Sequence, residues 1–348
     1  MQNSESTKIV ESAAHSAVFR EQVEHESKAL KVVLAEMSKV IVGQEHMTRS
    51  LLLGLLTEGH VLLEGLPGLA KTLAVKSLAA AMDAKFQRIQ FTPDLLPSDL
   101  IGTIIYRQDT HDFVPKKGPL FSNLILADEI NRAPAKVQSA LLEAMAEKQV
   151  TIGDSTYPLQ EPFLVLATQN PIEQEGTYTL PEAQLDRFMF KLKVGYPTRE
   201  EEKRIMERMA SLKLPHVQKV ISTEDILRMR TRLELVYSDK RIEEYILRLV
   251  LATRSDTVLD SQEADLTKLK DLRQSIRIGA SPRATLFLHR ASRANAFLEG
   301  RTFVTPDDIK AVAPEILRHR LILTFDAEAR GLGSDRVIGQ LLETVTVP

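Results

Sequence analysis

Short apolar runs alternate with amphipathic stretches along residues 41–197 of this chain of 348 residues. The apolar runs predict five strands, at residues 60–64, 86–91, 124–127, 163–167 and 188–192. Helical periodicity lies between them, including a predicted helix at 71–82 that follows a Gly/Pro loop. This alternation favours an α/β fold with a five-stranded parallel, doubly wound sheet that carries helices on both faces.

The pattern changes at Pro197, where we place a domain boundary. Thr198 is a good helix cap, and helical periodicity dominates from there onward. Helices are predicted at 200–211, 223–235, 239–253, 281–299 and 306–318. A further helix is predicted at 17–40. We expect an N-terminal helical segment (1–40), an α/β core (41–197) and a smaller helical domain (198–348).

Two segments of the predicted core look like insertions. Residues 92–115 are punctuated by proline and glycine, and two extended stretches at 103–106 and 112–115 are compatible with a hairpin. Residues 148–159 contain a second hairpin candidate that turns at Gly153-Asp154.

Composition excludes several classes of protein. The chain has no cysteine, which rules out disulfides, thiolate metal sites and a cysteine nucleophile, and which fits a reducing cytoplasm. Its net charge of −2 does not indicate a nucleic-acid-binding protein. No apolar run reaches the roughly 18 residues that a membrane span needs, and the N-terminus has no signal core. We expect a cytoplasmic protein without a membrane span.

The sequence Gly65-Leu66-Pro67-Gly68-Leu69-Ala70-Lys71-Thr72 follows a predicted strand and opens a predicted helix. This is the context of a phosphate-binding loop, whose backbone N–H groups and helix N-terminus attract phosphate oxygens. Lys71 would contact the β and γ phosphates, and the Thr72 hydroxyl would face Mg²⁺. Ala70 replaces the usual second glycine, so a positive φ there would strain the backbone.

Polar side chains end two other predicted strands. Asp128 and Glu129 follow the buried run at 124–127, at the sheet edge where ligands of parallel sheets bind. Asp128 would hold Mg²⁺ through water, and Glu129 would polarise the water that attacks the γ-phosphate. Asn170 follows the strand at 163–167, where it could orient that water or simply form a turn.

Two arginines are further candidates. Arg187, just before the fifth strand, is either an arginine finger that offsets charge on the γ-phosphate or a surface arginine in an ion pair. Arg283 lies near the start of a predicted helix, where it either reaches the nucleotide from a lid or is solvated.

Taken together, the motifs resemble those of the MoxR family of AAA+ ATPases. The similarity extends over about residues 41–325. The matching stretches are GLPGLAKT at 65–72, ADEINRA at 127–133, VQSALLEAM at 137–145, ATQNP at 167–171, LPEAQLDRF at 180–188 and SPR at 281–283. Alanine at position 70 is usual in this family.

The resemblance implies a role for each candidate residue. It implies that Lys71 and Thr72 belong to Walker A, Asp128 and Glu129 to Walker B, and Asn170 to sensor 1. It further implies that Arg187 is a finger acting on the ATP of a neighbouring subunit and that Arg283 is sensor 2. Nucleotide contacts would come from Val42, Gly43, residues 65–72, Leu73 and Arg283, with Val42 and Gly43 in the adenine pocket. The segments at 92–115 and 148–159 would be the family's helix-2 insert and pre-sensor-1 hairpin.

The resemblance also implies an assembly and a task. Family members form hexameric rings with a helical lid and hydrolyse ATP to ADP with Mg²⁺. They resemble chaperones that remodel partner proteins, often proteins with von Willebrand A domains. The alternative from the same clade is a nucleic-acid motor, but the hairpin near Gly153 is not strongly basic and Lys116-Lys117 is the only basic pair near the first insert. A P-loop kinase would not need Arg187, Arg283 or a large helical domain, and an ATP-gated binding module would scarcely hydrolyse ATP.

Overall fold

The protein, described by a computed structural model over residues 16–170, 176–210 and 215–348, divides into two compact units. The sheet unit comprises the described part of residues 32–227. The helical unit comprises residues 228–348 with the described part of residues 1–31. The first helix, α1 (Ala17–Val40), contributes residues to both units.

The boundary between the two units, between Leu227 and Arg228, lies later in the chain than the boundary predicted at Pro197. Helix α7 (Arg199–Met209) belongs to the sheet unit, where Arg208 donates to the carbonyl oxygens of Ser38 and Lys39. The predicted segments 1–40, 41–197 and 198–348 follow changes in sequence pattern, whereas the units follow contacts between residues distant in sequence. Residues 1–15 and the predicted helix end at Ser211 lie outside the described residues.

Five strands form one parallel sheet in the sheet unit, which confirms the predicted fold class. They are β1 (Val61–Gly65), β2 (Phe86–Gln90), β5 (Leu124–Asp128), β8 (Leu164–Gln169) and β9 (Phe190–Val194). Their order is β2-β5-β8-β1-β9. Strand β8 therefore pairs with both β5 and β1, and the carboxyl ends of these three strands are neighbours.

The sheet is covered on both faces. Leu62, Ile125 and Val165 belong to a core that also contains residues of helix α5 (Ala135–Glu147), and their chain neighbours on the opposite face are equally inaccessible. A sheet buried in this way needs a helical layer on each side. The remaining helices of this unit are α2 (Glu45–Thr57), α3 (Lys71–Ala81), α4 (Pro97–Ile101) and the short α6 (Glu182–Leu185).

Both hairpins suggested by the sequence are present as antiparallel pairs. Strands β3 (Gly102–Arg107) and β4 (Asp112–Lys117) form the first, and β6 (Gln149–Ile152) and β7 (Ser155–Pro158) form the second. Gly153 turns the second hairpin with φ 61°. A Cβ atom on Gly153 would lie 2.3 Å from Cδ1 of Ile104, so glycine also permits contact between the two hairpins.

The helical unit is built from short and medium helices with one small β-ribbon. Its elements are α8 (Thr223–Leu233, which begins in the sheet unit), α9 (Lys240–Ala252), α10 (Leu266–Gln274), α11 (Pro282–Leu298), α12 (Pro306–Leu317), α13 (Phe325–Ala329), α14 (Ser334–Thr344), and the antiparallel pair β10 (Ile276–Ile278) and β11 (Ile322–Leu323). Within the described ranges, no helix is both long and apolar enough to cross a bilayer.

A buried carboxylate organises the start of α12. Asp308 is 1% exposed and accepts hydrogen bonds from Arg301, Asn295 and the Thr305 N–H and hydroxyl. Burial by itself would raise the pKa of Asp308, but these hydrogen bonds outweigh it and leave the pKa below its usual value. The ionised group thus stabilises the fold at neutral pH, and this contribution is lost only as the pH falls through the lowered pKa.

We expect Asp308→Ala to destabilise the helical unit by about 3–5 kcal/mol, because it leaves the Arg301 charge without its buried partner. Urea unfolding followed by circular dichroism measures the change. The matched control is Asp307→Ala, an exposed carboxylate in the same helical turn, which should cost less than about 1 kcal/mol. Equal losses in the two variants would contradict the role of the buried network.

Candidate functional site

The loop between β1 and α3 has the backbone of an anion-binding cradle. Gly68 has φ 84° and Ala70 has φ 57°, so two left-handed residues alternate with ordinary ones. Such alternation turns successive N–H groups toward one side, where the unpaired N–H groups of the first turn of α3 add to them. A Cβ atom on Gly68 would meet nothing within 4 Å, so this side of the loop is open. The loop therefore fits a phosphate group.

Ala70 has the positive φ that would strain a non-glycine residue, a point that the sequence alone could not decide. Its φ of 57° and ψ of 18° lie in the left-handed region, at the residue that caps α3. A non-glycine residue there costs on the order of 1 kcal/mol, a strain that proteins tend to retain at binding sites.

The loop faces a cleft of about 400 Å³ at the carboxyl edge of the sheet. Asp128 ends β5, Glu129 follows it, and Asn170 follows β8. The cleft is lined by Pro67, Gly68, Leu69, Ala70, Lys71, Thr72, Leu73, Arg88, Asp128, Glu129 and Asn170. The structure thus brings together the predicted phosphate loop, both predicted carboxylates and the predicted polar sensor.

Thr168 connects the two carboxylate residues. Its buried hydroxyl donates to Asp128 Oδ1 at 2.6 Å and accepts from the Glu129 N–H at 2.9 Å. Glu129 itself has a left-handed backbone with φ 56°. A single hydroxyl therefore holds the Asp128 carboxylate and the strained Glu129 backbone in one arrangement.

Strand β2 supplies partners for the other carboxylate oxygens. Arg88 donates to Asp128 Oδ2 through Nη2 at 2.7 Å and Nε at 3.1 Å. Gln90 donates to Glu129 Oε2 at 2.8 Å, and Arg132 Nε lies 3.1 Å from the same oxygen. Arg88 also donates to the Gln90 side-chain oxygen at 2.9 Å. Both carboxylates are therefore already paired.

Sequence reasoning did not single out Arg88, Gln90 or Thr168. Arg88 and Gln90 are two residues apart on β2, and that spacing puts polar side chains on one face of a strand. Thr168 lies inside the ATQNP stretch, beside the predicted Asn170. Only the pairing of β2 with β5 and of β5 with β8 reveals what these side chains contact.

Lys71 is held against its own loop. Its Nζ donates to the Gly65 carbonyl oxygen at 2.7 Å. Burial lowers the pKa of Lys71, while the nearby Asp128 and Glu129 charges oppose that change. An anionic ligand in the cleft would further favour the charged ammonium group.

Leu73 lines the cleft, as predicted. It also lines a second cavity of about 360 Å³, together with Val40, Lys76, Ala80 and Arg208 among others. Of the residues predicted for the adenine pocket, Gly43 lines a different cavity and Val42 is buried. Assignment of Val42 and Gly43 to the adenine pocket stays a prediction.

The two predicted arginines belong to different units. Arg187 follows α6 in the sheet unit and is not among the residues that line the cleft. Arg283 lies in the first turn of α11 in the helical unit, where its N–H donates to the Ser281 hydroxyl. Their roles as finger and sensor stay predictions.

Comparison with known proteins indicates an AAA ATPase. Residues 60–190 match the family described as ATPase family associated with various cellular activities (AAA), and residues 270–341 match the AAA lid domain. The chain is 48% identical to Chaperone MoxR1 of Mycobacterium tuberculosis (strain ATCC 25618 / H37Rv), over 93% of this chain and 83% of that protein. It is 42% identical to YeaC of Bacillus subtilis (strain 168), over 90% of this chain and 92% of that protein. A crystal structure from Cytophaga hutchinsonii ATCC 33406 shares 52% identity and a TM-score of 0.86, covering 94% of this chain and 97% of that one.

We expect Thr168→Val to destabilise the sheet unit by about 1.5–3 kcal/mol, because it removes a hydrogen bond to a charged group and leaves the Glu129 N–H without its acceptor. Thr168→Ser keeps the hydroxyl and loses one methyl group, at a cost of about 1 kcal/mol. Urea unfolding midpoints compare the two variants. A valine variant at least as stable as the serine variant would refute the bridging role of the hydroxyl.

Proposed function

Because this chain belongs to the MoxR family of AAA+ ATPases, we propose that it hydrolyses Mg·ATP at the interfaces of a hexameric ring, the form that the family implies, and thereby remodels partner proteins. ATP hydrolysis is the activity of the family. The magnesium ion, the ring, the client proteins and a cytoplasmic location are our proposal.

The observation that carries this proposal is the shared cleft. The phosphate loop, Asp128, Glu129 and Asn170 come from separate parts of the chain and all line it. A loop that binds phosphate has no need of two carboxylates facing it, because their charge repels phosphate. Their presence is explained if one carboxylate faces a metal ion and the other a water molecule.

The donor atoms in the cleft fit magnesium. Mg²⁺ prefers hard oxygen ligands and is usually bound through one or two protein groups plus substrate phosphates. Thr72 and Asp128 supply a hydroxyl and a carboxylate. No group of three or more His, Cys, Asp or Glu side chains in the described ranges could hold a metal ion. When bound, Mg²⁺ would neutralise phosphate charge.

The chain's own residues then take separate roles. Lys71 binds the β and γ phosphates once its ammonium group leaves the Gly65 carbonyl oxygen. Glu129, held by Gln90 and Arg132 at Oε2, accepts a hydrogen bond from the attacking water and orients it. Asn170 supports the same water or the γ-phosphate from the end of β8.

Arg187 is proposed to act on the site of a neighbouring subunit. It does not line the cleft of its own chain, whereas a finger must contact the phosphates. An arginine supplied by the next subunit makes ATP hydrolysis depend on assembly, so that hydrolysis in neighbouring subunits can be coupled. Arg283, from the helical unit, is proposed as sensor 2.

Remodelling of proteins is favoured over action on nucleic acid. The relative of 48% identity carries the name Chaperone MoxR1. The first hairpin exposes apolar and aromatic side chains, Phe113 among them at 74%. The basic pair Lys116-Lys117 ends strand β4 of this hairpin, and Lys117 lies over the rings of Phe121 and Tyr157, at 4.7 and 5.1 Å from their centroids. Its charge is thus already engaged with aromatic rings.

We expect Glu129→Gln to retain Mg·ATP binding and to lose turnover by at least about 100-fold, because the amide cannot accept a proton. Nucleotide binding and phosphate release are measured on the same preparation. Glu143→Gln, an exposed acid on α5, is the matched control and should retain full turnover. Normal hydrolysis by the Glu129 variant would refute its role. Proteins that copurify with this ATP-bound variant identify the clients.

We expect Arg187→Ala to bind ATP normally and to lose turnover by about 1,000-fold, the usual contribution of an arginine finger. Mixing this variant with Glu129→Gln tests action in trans. Mixed rings contain interfaces at which an intact Arg187 faces an intact Glu129, so part of the turnover should return. If mixing restores nothing although the subunits exchange, the finger does not act between subunits.

A further inference from the structure

Arg88 fills both acceptor positions of one oxygen of Asp128, the carboxylate proposed to hold magnesium. Asp128 Oδ2 accepts two N–H groups from Arg88, at 2.7 and 3.1 Å, and an oxygen of a carboxylate has two lone pairs. Oδ1 already accepts the Thr168 hydroxyl. Of the four acceptor positions of Asp128, three are filled by protein groups and two of these by Arg88.

The Arg88 side chain is placed to move rather than to support the fold. It is 51% exposed, whereas the Asp128 side chain is 14% exposed. It projects from β2 into the cleft that the phosphate loop lines. The Gln90 side-chain oxygen, 2.9 Å from Nη2, offers the guanidinium a second anchor on the same strand. Thr168, by contrast, is buried and fixed.

We propose that Arg88 competes with magnesium for Asp128, so that metal-bound nucleotide enters the site only by displacing the guanidinium from Oδ2. This inference rests on the proposed Mg·ATP site. In the metal-free site, Arg88 neutralises Asp128 and so limits its repulsion of phosphate. When the metal is present, its charge takes over that neutralisation and Arg88 turns toward Gln90 and the cleft.

Competition of this kind has a thermodynamic signature that a simple phosphate contact lacks. Removing Arg88 exposes the Asp128 charge, which weakens metal-free ATP binding. The same change frees Oδ2, which strengthens the response to Mg²⁺. The two effects have opposite signs. A residue that only contacts phosphate would, when removed, weaken both forms of binding together.

The test compares Arg88→Gln with the unmodified chain in binding methylanthraniloyl-ATP, a fluorescent analogue, in EDTA and across a Mg²⁺ titration. The measured quantity is the metal coupling, the Kd in EDTA divided by the Kd in saturating Mg²⁺. We expect the coupling to rise by about three- to ten-fold, the range for a partly exposed, charge-assisted pair, with a matching fall in the half-saturating Mg²⁺ concentration. Arg88→Lys keeps the positive charge but loses the bidentate hydrogen bond. Its metal coupling should lie between those of the unmodified chain and Arg88→Gln.

Two controls isolate the Arg88–Asp128 pair. Arg107→Gln removes an exposed arginine at the end of β3, which does not line the cleft, and should leave the metal coupling unchanged. In an Asp128→Asn background, Arg88→Gln should no longer change the coupling, because the competing pair is already absent.

Failure of this inference is distinct from failure of the proposed function. If the unmodified chain binds the analogue with magnesium and the coupling is unchanged or reduced in Arg88→Gln, the competition is refuted and the ATPase site stands. An effect of Arg88→Gln that persists in the Asp128→Asn background also refutes it. Absence of any binding by the unmodified chain would overturn the ATPase site itself.

Discussion

The pairing of β8 between β5 and β1 is the constraint on which the site depends. Parallel pairing puts the carboxyl ends of all three strands at one edge. The phosphate loop follows β1, the acidic pair ends β5, and Thr168 and Asn170 lie at the end of β8. A shift in the register of β8 would move the Thr168 hydroxyl away from Asp128 and turn alternate side chains to the other face of the sheet.

The charges of the cleft are balanced before any ligand arrives. Asp128 is paired with Arg88 and Thr168, Glu129 with Gln90 and Arg132, and Lys71 with a loop carbonyl oxygen. Partly buried charges need such partners, because removing them from water is costly. The site is consequently one in which ligand binding exchanges existing contacts for new ones, and its affinity is the difference between the two sets.

Two residues that line the cleft have a strained backbone. Ala70 and Glu129 both have positive φ without being glycine. The first ends the phosphate loop and the second follows the acidic strand, so the strain lies on both sides of the cleft. Helix α3, which starts directly after Ala70, holds the conformation of Ala70 in place. The Thr168 hydroxyl, which accepts a hydrogen bond from the Glu129 N–H, holds that of Glu129.

The sequence by itself determined the elements and the chemistry, because periodicity and residue type are local properties. It specified the five strands, most of the longer helices, both hairpins, the phosphate loop and the acidic pair, and the resemblance of its motifs specified the family. It did not reveal α10, whose buried face is only Leu269 and Leu272, since so short a pattern is not distinctive. The tertiary structure alone decided the strand order, the conformation of Ala70, the packing of residues 198–210 and 215–227 with the sheet unit, and the contacts of Arg88, Gln90 and Thr168 with the carboxylates. All of these except the conformation of Ala70 depend on residues far apart in the chain, and distance along a sequence carries no record of which side chains meet in space.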